Sequence, residues 1–303
     1  MKKILRGIGW RRFSIVLATL PSLWPARQVL AHPGTGIVID QAGNVYFVDM
    51  VSGVWKVDTA GRLTHLPGPG FHWMALDERE RLRGATLPSG SAGEVVRLAN
   101  QPTLILASDY PVSMGQDGSL YYPSHRAPGA LQILRIPPSG STAVAATLPA
   151  RAGERELREL NGIALGRDGS VYYTENDAVR RIDSRGAVST IAQELSPAGC
   201  RAVAGIDAGA GPLLRGFAVD SSGTVYAAAT GCAAVVKISS RGEITTLYRS
   251  PGDWSPTGIA LFGNSVYVLE FLGAGSDDRR AMVPRVTKIE PTGTTRVIAT
   301  VRR

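Results

Sequence analysis

Short apolar runs and polar turns alternate along the chain with a regular rhythm. Residues 161–182, NGIALGRDGSVYYTENDAVRRI, show the unit: an apolar run, a tight Arg167-Asp168-Gly169 turn, a second apolar-aromatic run, and an acidic end at Glu175. Two strand-forming runs joined by a turn bearing glycine predict a β-hairpin. The same hairpin opens at Thr35, His72, Tyr110, Asn161, Arg215 and Thr257, at steps of 37, 38, 51, 54 and 42 residues. Two further strand-like runs follow each hairpin, such as 54–57 then 63–66, and 235–238 then 244–248. Six units of four strands, each about forty-odd residues long, have the spacing of a β-propeller. The pattern therefore predicts an all-β fold, a six-bladed propeller of four-stranded blades spanning residues 32–303.

Side-chain size supports the prediction. Three residues after the openers stand Val38, Ala75, Ser113, Ala164, Ala218 and Ala260, which are mostly small, as strands crowded around an axis require. Aromatics occupy the second strands at Tyr46, Tyr122, Tyr172, Tyr226 and Tyr267. Asp40, Asp77 and Asp220 precede the first turn of their blades and read as Asx-type turns that satisfy backbone amides.

The amino-terminal stretch changes the picture of charge. The formal charge is +8, and residues 1–31 contribute six of the cations (Lys2, Lys3, Arg6, Arg11, Arg12, Arg27) without an acid, leaving +2 for the rest. The propeller part gives no argument for nucleic-acid binding. A basic start, an apolar run over 13–24 and Val29-Leu30-Ala31 have the layout of an export signal peptide, and Arg11-Arg12-Phe13 is a partial twin-arginine pattern. The apolar run is short for a bilayer span. The expectation is a periplasmic or secreted protein that is free of the membrane once the signal is cleaved. In such a compartment Cys200 and Cys232, both on the same predicted face, are a candidate disulfide.

Loop length is uneven between the two faces. The first-to-second and third-to-fourth turns are short (41–43, 58–61, 183–186, 239–242, 290–293), whereas the connections at the other end are long (87–93, 123–130, 149–160, 196–214, 271–282). Long loops gathered on one face point to a site there. Residues 151–160 are read as a short charged helix at its rim, or equally as a solvated connector. Alignment of the units sets the six openers Thr35, His72, Tyr110, Asn161, Arg215 and Thr257 around the mouth of the channel. The second-strand ends Asp49, Thr86, Ser124, Glu175, Ala229 and Glu270 form an outer ring. A mouth rich in convergent polar groups suits a small polar or anionic molecule, or else an ordered-water channel.

Asn161-Gly162-Ile163-Ala164-Leu165 with Asp168-Gly169, and the run Gly43-Asn44-Val45-Tyr46-Phe47-Val48-Asp49, resemble the NHL repeat and the senescence-marker-protein/gluconolactonase propellers over roughly residues 33–303. The resemblance implies a divalent metal held at the mouth by a glutamate opening blade one, an asparagine opening blade four and an aspartate opening blade five. Those positions are Thr35, Asn161 and Arg215 here, so only the asparagine remains, and the blade-three Asn-Asp-Gly falls on Asp109-Tyr110-Pro111. Hard cations need several oxygen ligands, so no cofactor is expected and a metal is disfavoured; its fallback ligands are Asp49, Asn161, Glu175 and Glu270. Tyr172-Tyr173-Thr174-Glu175-Asn176 with Arg181-Ile182 also resembles the repeat of streptogramin-cleaving lyases, which use His and Glu with magnesium; His72 or His125 with Glu175 or Glu270 would mimic that pairing. His32 would be the first residue after cleavage, with no partner histidine for a copper chelate.

No nucleophile elbow, phosphate loop, HExxH, paired CxxC or dinucleotide fingerprint is present. The reading is a propeller that binds a small polar ligand or a protein partner at its mouth. Its catalytic alternative is a lactone or ester hydrolase, or a C–O lyase, with His72, Asn161 and Arg215 polarising an oxyanion and Glu175 or Glu270 as base. A third alternative is a non-catalytic interaction scaffold.

Overall fold

The structure is a computed structural model, and it describes residues 33–88, 94–99, 101–108, 110–127, 130–139, 141–148, 160–175, 177–195, 197, 199–206 and 211–302. The proposed signal, His32, Asp109, Asn176 and most of the 151–160 rim segment lie outside the described residues.

Five sheets are four-stranded antiparallel blades built from contiguous sequence. Blade one holds β1 (Ile37–Ile39), β2 (Val45–Asp49), β3 (Gly53–Val57) and β4 (Leu63–Leu66). Blade three holds β8 (Ser113–Met114), β9 (Leu120–Ala127), β10 (Ala130–Ile136) and β11 (Ala143–Leu148). Blade four holds β12 (Leu160–Leu165), β13 (Val171–Glu175), β14 (Ala178–Ile182) and β15 (Val188–Ala192). Blade five holds β16 (Leu214–Val219), β17 (Val225–Ala229), β18 (Ala234–Ile238) and β19 (Ile244–Arg249). Blade six holds β20 (Trp254–Phe262), β21 (Ser265–Leu272), β22 (Val283–Ile289) and β23 (Thr295–Thr300). No helix among the described residues is long and apolar enough to cross a membrane.

Blade two departs from the expected order. Its described strands are β5 (Trp73–Asp77), β6 (Val95–Leu98) and β7 (Thr103–Ala107), in the spatial order β5-β7-β6. The expected second strand ending at Thr86 is a turn instead, and Thr86 is exposed. The Asp77 carboxylate accepts from the amides of Arg81 (3.0 Å) and Leu82 (2.8 Å), and Glu80 takes a positive φ of 48°, so the chain curls where a strand would extend. Arg97 on β6 pins the curl by donating to the carbonyls of Leu82 and Arg83. The partner of β5 is Thr103–Ala107, fully buried and apolar on both faces, as a central strand should be.

The six innermost strands β1, β5, β8, β12, β16 and β20 each pack on the next, and β20 packs on β1, which closes a ring of six blades. In five blades the small residue three after the opener pairs across the ladder with a tyrosine: Val38 with Tyr46, Ser113 with Tyr121, Ala164 with Tyr172, Ala218 with Tyr226 and Ala260 with Tyr267. In blade three this role falls to Tyr121 rather than Tyr122, which packs against Tyr110 at 5.5 Å between centroids. A lysine or arginine on the third strand covers four of these rings, for example Lys56 over Tyr46 at 5.4 Å and Lys288 over Tyr267 at 5.7 Å.

The short turns are as expected. Gly43, Gly61, Gly186, Gly242 and Gly293 all have φ between 81° and 86°. Each donates its amide three residues back, at 2.8–3.0 Å. The Asx reading also holds, with Asp40 accepting from Asn44 (2.8 Å) and Asp220 from Ser222 (2.8 Å) and Thr224 (3.0 Å).

Ring closure depends on glycines directly after four openers: Gly36, Gly162, Gly216 and Gly258. A Cβ on Gly216 would lie 2.7 Å from both the Gly258 Cα and the Thr257 carbonyl oxygen, and one on Gly258 would strike the Thr35 carbonyl. Each glycine lets its blade approach the backbone of the next. Gly258→Ala is expected to cost about 1–3 kcal/mol, since backbone cannot yield as a side chain can. A denaturant midpoint equal to that of the parent protein would refute this account of closure.

Candidate functional site

The openers mark the end of the ring where the inner strands begin. Consecutive blades touch there directly. The amides of Thr35 and Gly36 donate to the His72 carbonyl at 2.7 and 2.8 Å, and the Thr35 hydroxyl also donates to it at 3.0 Å. The Thr257 hydroxyl donates to the Gly34 carbonyl at 2.7 Å. A Cβ on Gly162 would lie 2.9 Å from the Arg215 carbonyl oxygen. Asn161, Arg215, Thr257, Thr35 and His72 therefore follow one another around one end of the molecule.

Three openers sit at irregularities of the ladder. The register shifts between Leu160 and Gly162, between Leu214 and Phe217, and between Pro256 and Gly258, so Asn161, Arg215 and Thr257 fall out of pairing with the second strand. Such bulges re-aim a side chain and are frequent beside functional sites. Asn161 and Arg215 are half-buried, whereas Thr35, His72, Tyr110 and Thr257 are buried. His72 Nδ1 lies 2.8 Å from the Ser108 carbonyl oxygen, and its ring meets Trp73 edge-on. Tyr110 precedes the two-residue strand β8 and packs on Tyr122.

The outer ring is largely occupied by its own neighbours. Asp49 is fully buried and accepts from the Val51 amide at 3.1 Å and the Ser52 hydroxyl at 2.5 Å. Glu175 is buried, and the Arg180 Nε lies 3.2 Å from it. Glu270 is fully buried and holds four groups. Arg285 donates to it from Nε (2.8 Å) and from the terminal guanidinium nitrogen (3.2 Å), Thr287 from its hydroxyl (2.5 Å), and Tyr248 from its hydroxyl (3.2 Å). Burial and the adjacent Glu270 charge push the Tyr248 phenol up to about 12. Arg285 in turn lies over the Trp254 ring at 3.9 Å. Ser124 and Ala229 are buried, whereas Thr86 is exposed and belongs to no strand.

These partners were missed in the sequence. Arg285 stands directly across the ladder from Glu270, and Arg180 two pairs along from Glu175, but a cross-strand neighbour is visible only once the register is known. The opener-plus-glycine repeat was visible and carried the closure signal described above.

The positions that the resemblance assigns to a metal bring a hydroxyl (Thr35), an amide (Asn161) and a guanidinium (Arg215), a donor set unsuited to a hard cation. Among the described residues no three His, Cys, Asp or Glu side chains gather as a metal-binding group. Cys200 and Cys232 are joined in a disulfide, with Cα atoms 4.6 Å apart, on the same face as the openers.

The fold and this face define a six-bladed propeller with its polar openers gathered at one end. Residues 146–269 match the family described as the SMP-30/Gluconolactonase/LRE-like region, a stretch that takes in blades four and five and the first strands of blade six. No curated protein matches the chain. Similar solved structures include virginiamycin B lyase from Staphylococcus aureus (16% identity, TM-score 0.51, covering 90% of this chain and 85% of that one). Also similar is a calcium-binding protein, regucalcin, from Agrobacterium tumefaciens (16%, 0.51, covering 80% and 83%). A gluconolactonase from Xanthomonas campestris is alike to the same degree (15%, 0.51, covering 78% and 83%). At these identities the likeness is one of fold.

Proposed function

We propose that the mouth binds a small anionic molecule without a bound metal, in a protein exported across the inner membrane. The observation that carries this reading is Arg215. It is a half-buried guanidinium at a bulge of an inner strand, at the position where the resemblance calls for an acid. Of the surrounding carboxylates, Glu175 and Glu270 are paired with Arg180 and Arg285, which offsets their charge, while Asp49 is buried and accepts from the Val51 amide and the Ser52 hydroxyl. A guanidinium stays protonated at any physiological pH and presents a fork that fits a carboxylate. Asn161, half-buried at the bulge of β12, supplies a further polar contact.

The test is a titration of the full chain with D-gluconate, as a polyhydroxy carboxylate, alongside metal analysis of the purified protein. Arg215→Ala is expected to weaken binding by about 1.5–3 kcal/mol, the usual worth of a hydrogen bond to a charged group. Stoichiometric calcium, zinc or manganese, or binding indifferent to Arg215, would sink the reading. Hydrolysis of a lactone or aryl ester at the same face is the second reading, favoured by the gluconolactonase-like region over 146–269. It predicts turnover that falls in both Arg215→Ala and Glu175→Ala. Capture of a protein partner from a periplasmic fraction by a variant with the mouth blocked would instead favour a scaffold.

A further inference from the structure

A second concavity lies on the same face but off the axis, at the rim of blade six. It has a volume of about 350 Å³ and is walled by three separate segments: 201–204, 252–254 and 272–274. That size is at the lower end for small-molecule sites. The three walls are braced against one another. The first is anchored by the Cys200–Cys232 disulfide immediately before it. Arg201 ties the first wall to the second by donating from its guanidinium to the Ser250 carbonyl (3.2 Å) and the Gly252 carbonyl (2.5 Å). The first wall also meets the third backbone to backbone. A Cβ on Gly205 would lie 2.8 Å from the Gly275 carbonyl carbon, and one on Gly275 would lie 2.6 Å from that of Gly205. Neither contact has room for a side chain, so both glycines are needed for the walls to meet.

The lining is mostly apolar, with Val203, Ala204, Ala274, the half-exposed Leu272 and the indole of Trp254, and its charged members are the exposed Arg201 and Asp253. The Trp254 ring is held by Arg285, itself fixed by the buried Glu270. One terminal nitrogen of the Arg201 guanidinium donates to backbone carbonyls, and the Asp253 carboxylate shares the lining, which disfavours an anionic ligand. An apolar slot of this size, with an immobilised aromatic wall, suits a flat ring system and does not suit a sugar acid.

We propose that this rim cleft is a ligand site for a small, flat aromatic molecule, separate from the mouth and assembled only when the disulfide is formed. It stands on the cleft walls alone and is independent of the reading of Arg215. The probe is indole, titrated into the oxidised full chain and followed by ligand-detected saturation-transfer NMR. Saturable binding in the millimolar range is expected. Leu272→Glu puts a charge at the lip of the cleft from a partly exposed position and is expected to weaken binding by about tenfold or more. Its melting temperature should match that of the parent. Reduction of the disulfide is expected to weaken indole to a similar extent, by releasing the first wall. Val297→Glu, on the exposed outer strand β23, and Arg215→Ala are expected to leave indole binding unchanged. The proposal is overturned by an absence of saturation at about 10 mM indole, where a site with a Kd of about 1 mM is roughly nine-tenths filled. It is also overturned by binding indifferent to Leu272→Glu or to reduction, or by equal loss in Val297→Glu or Arg215→Ala.

Discussion

Replacing Glu270 with alanine is expected to lower stability by about 3–5 kcal/mol, the largest single effect foreseen for this chain. The carboxylate is wholly buried, and its removal leaves the Arg285 guanidinium, only 10% exposed, without its counter-charge. It also strips Thr287 and Tyr248 of their acceptor. A single polar deletion is costly here because four donors share one acceptor group. Denaturant unfolding of Glu270→Ala, Arg285→Met and the double variant Glu270→Leu/Arg285→Met tests this. The double variant should recover most of the loss, because an apolar pair of similar size removes the stranded charge. A single-variant loss below about 1 kcal/mol, the scale of a solvent-screened pair, would contradict the burial argument. The result bears on function too. Loss of turnover in a Glu270 variant carries no catalytic meaning unless the variant is shown to be folded. Glu175, paired with Arg180 and at a similar place at the end of its strand, is the second carboxylate on which to test a general base, under the same requirement of a folded variant.

How far the sequence could be read differs by element. Turn chemistry was fully local, and the Asp and Gly positions of the short turns went directly into hydrogen bonds between residues two to four apart. The six openers were legible because each precedes a run with strand periodicity. Blade two was misread because ERERLRGAT after Asp77 sits where a second strand falls in the other blades, while the true partner, Thr103–Ala107, arrives later and out of order. Its uninterrupted apolar character was the available signal, since a strand covered on both faces does not alternate. The openers could be assigned to one end, but their surroundings could not. Whether a carboxylate at a strand end faces a ligand or an arginine depends on the residue across the ladder, and register shifts at the bulges of β12, β16 and β20 put that beyond counting. The same holds for the rim cleft, whose walls come from segments about fifty and twenty residues apart that meet only in the folded chain.

Removing the Cys200–Cys232 bridge is the second large effect. The bridge closes a loop with a sequence separation of 32, for which the chain-entropy model gives about 4 kcal/mol. The model holds only if the bridge restrains the unfolded chain more than the native one. The native segment has other ties, including Arg249 donating to the Gly199 carbonyl at 2.7 Å and Arg201 to the 250–252 turn. Those ties limit the movement of the segment but do not replace the bridge, so reduction is expected both to loosen residues 201–204 and to lower the global free energy of unfolding. Urea unfolding of Cys200→Ser/Cys232→Ser, set beside the parent with and without reductant, separates the two. A midpoint drop of the same size in the double variant and the reduced parent assigns the effect to the crosslink. A drop in the reduced parent alone would implicate strain from the buried Cys232 thiol, which is 1% exposed. No drop in either would mean that the loop is already constrained without its bridge, and the entropic account would fail. The magnitude also connects stability to compartment. A chain that gains this much from oxidation is stable where thiols are oxidised and weaker where they are kept reduced, so the proposed cleft depends on a covalent bond that the proposed export would allow to form.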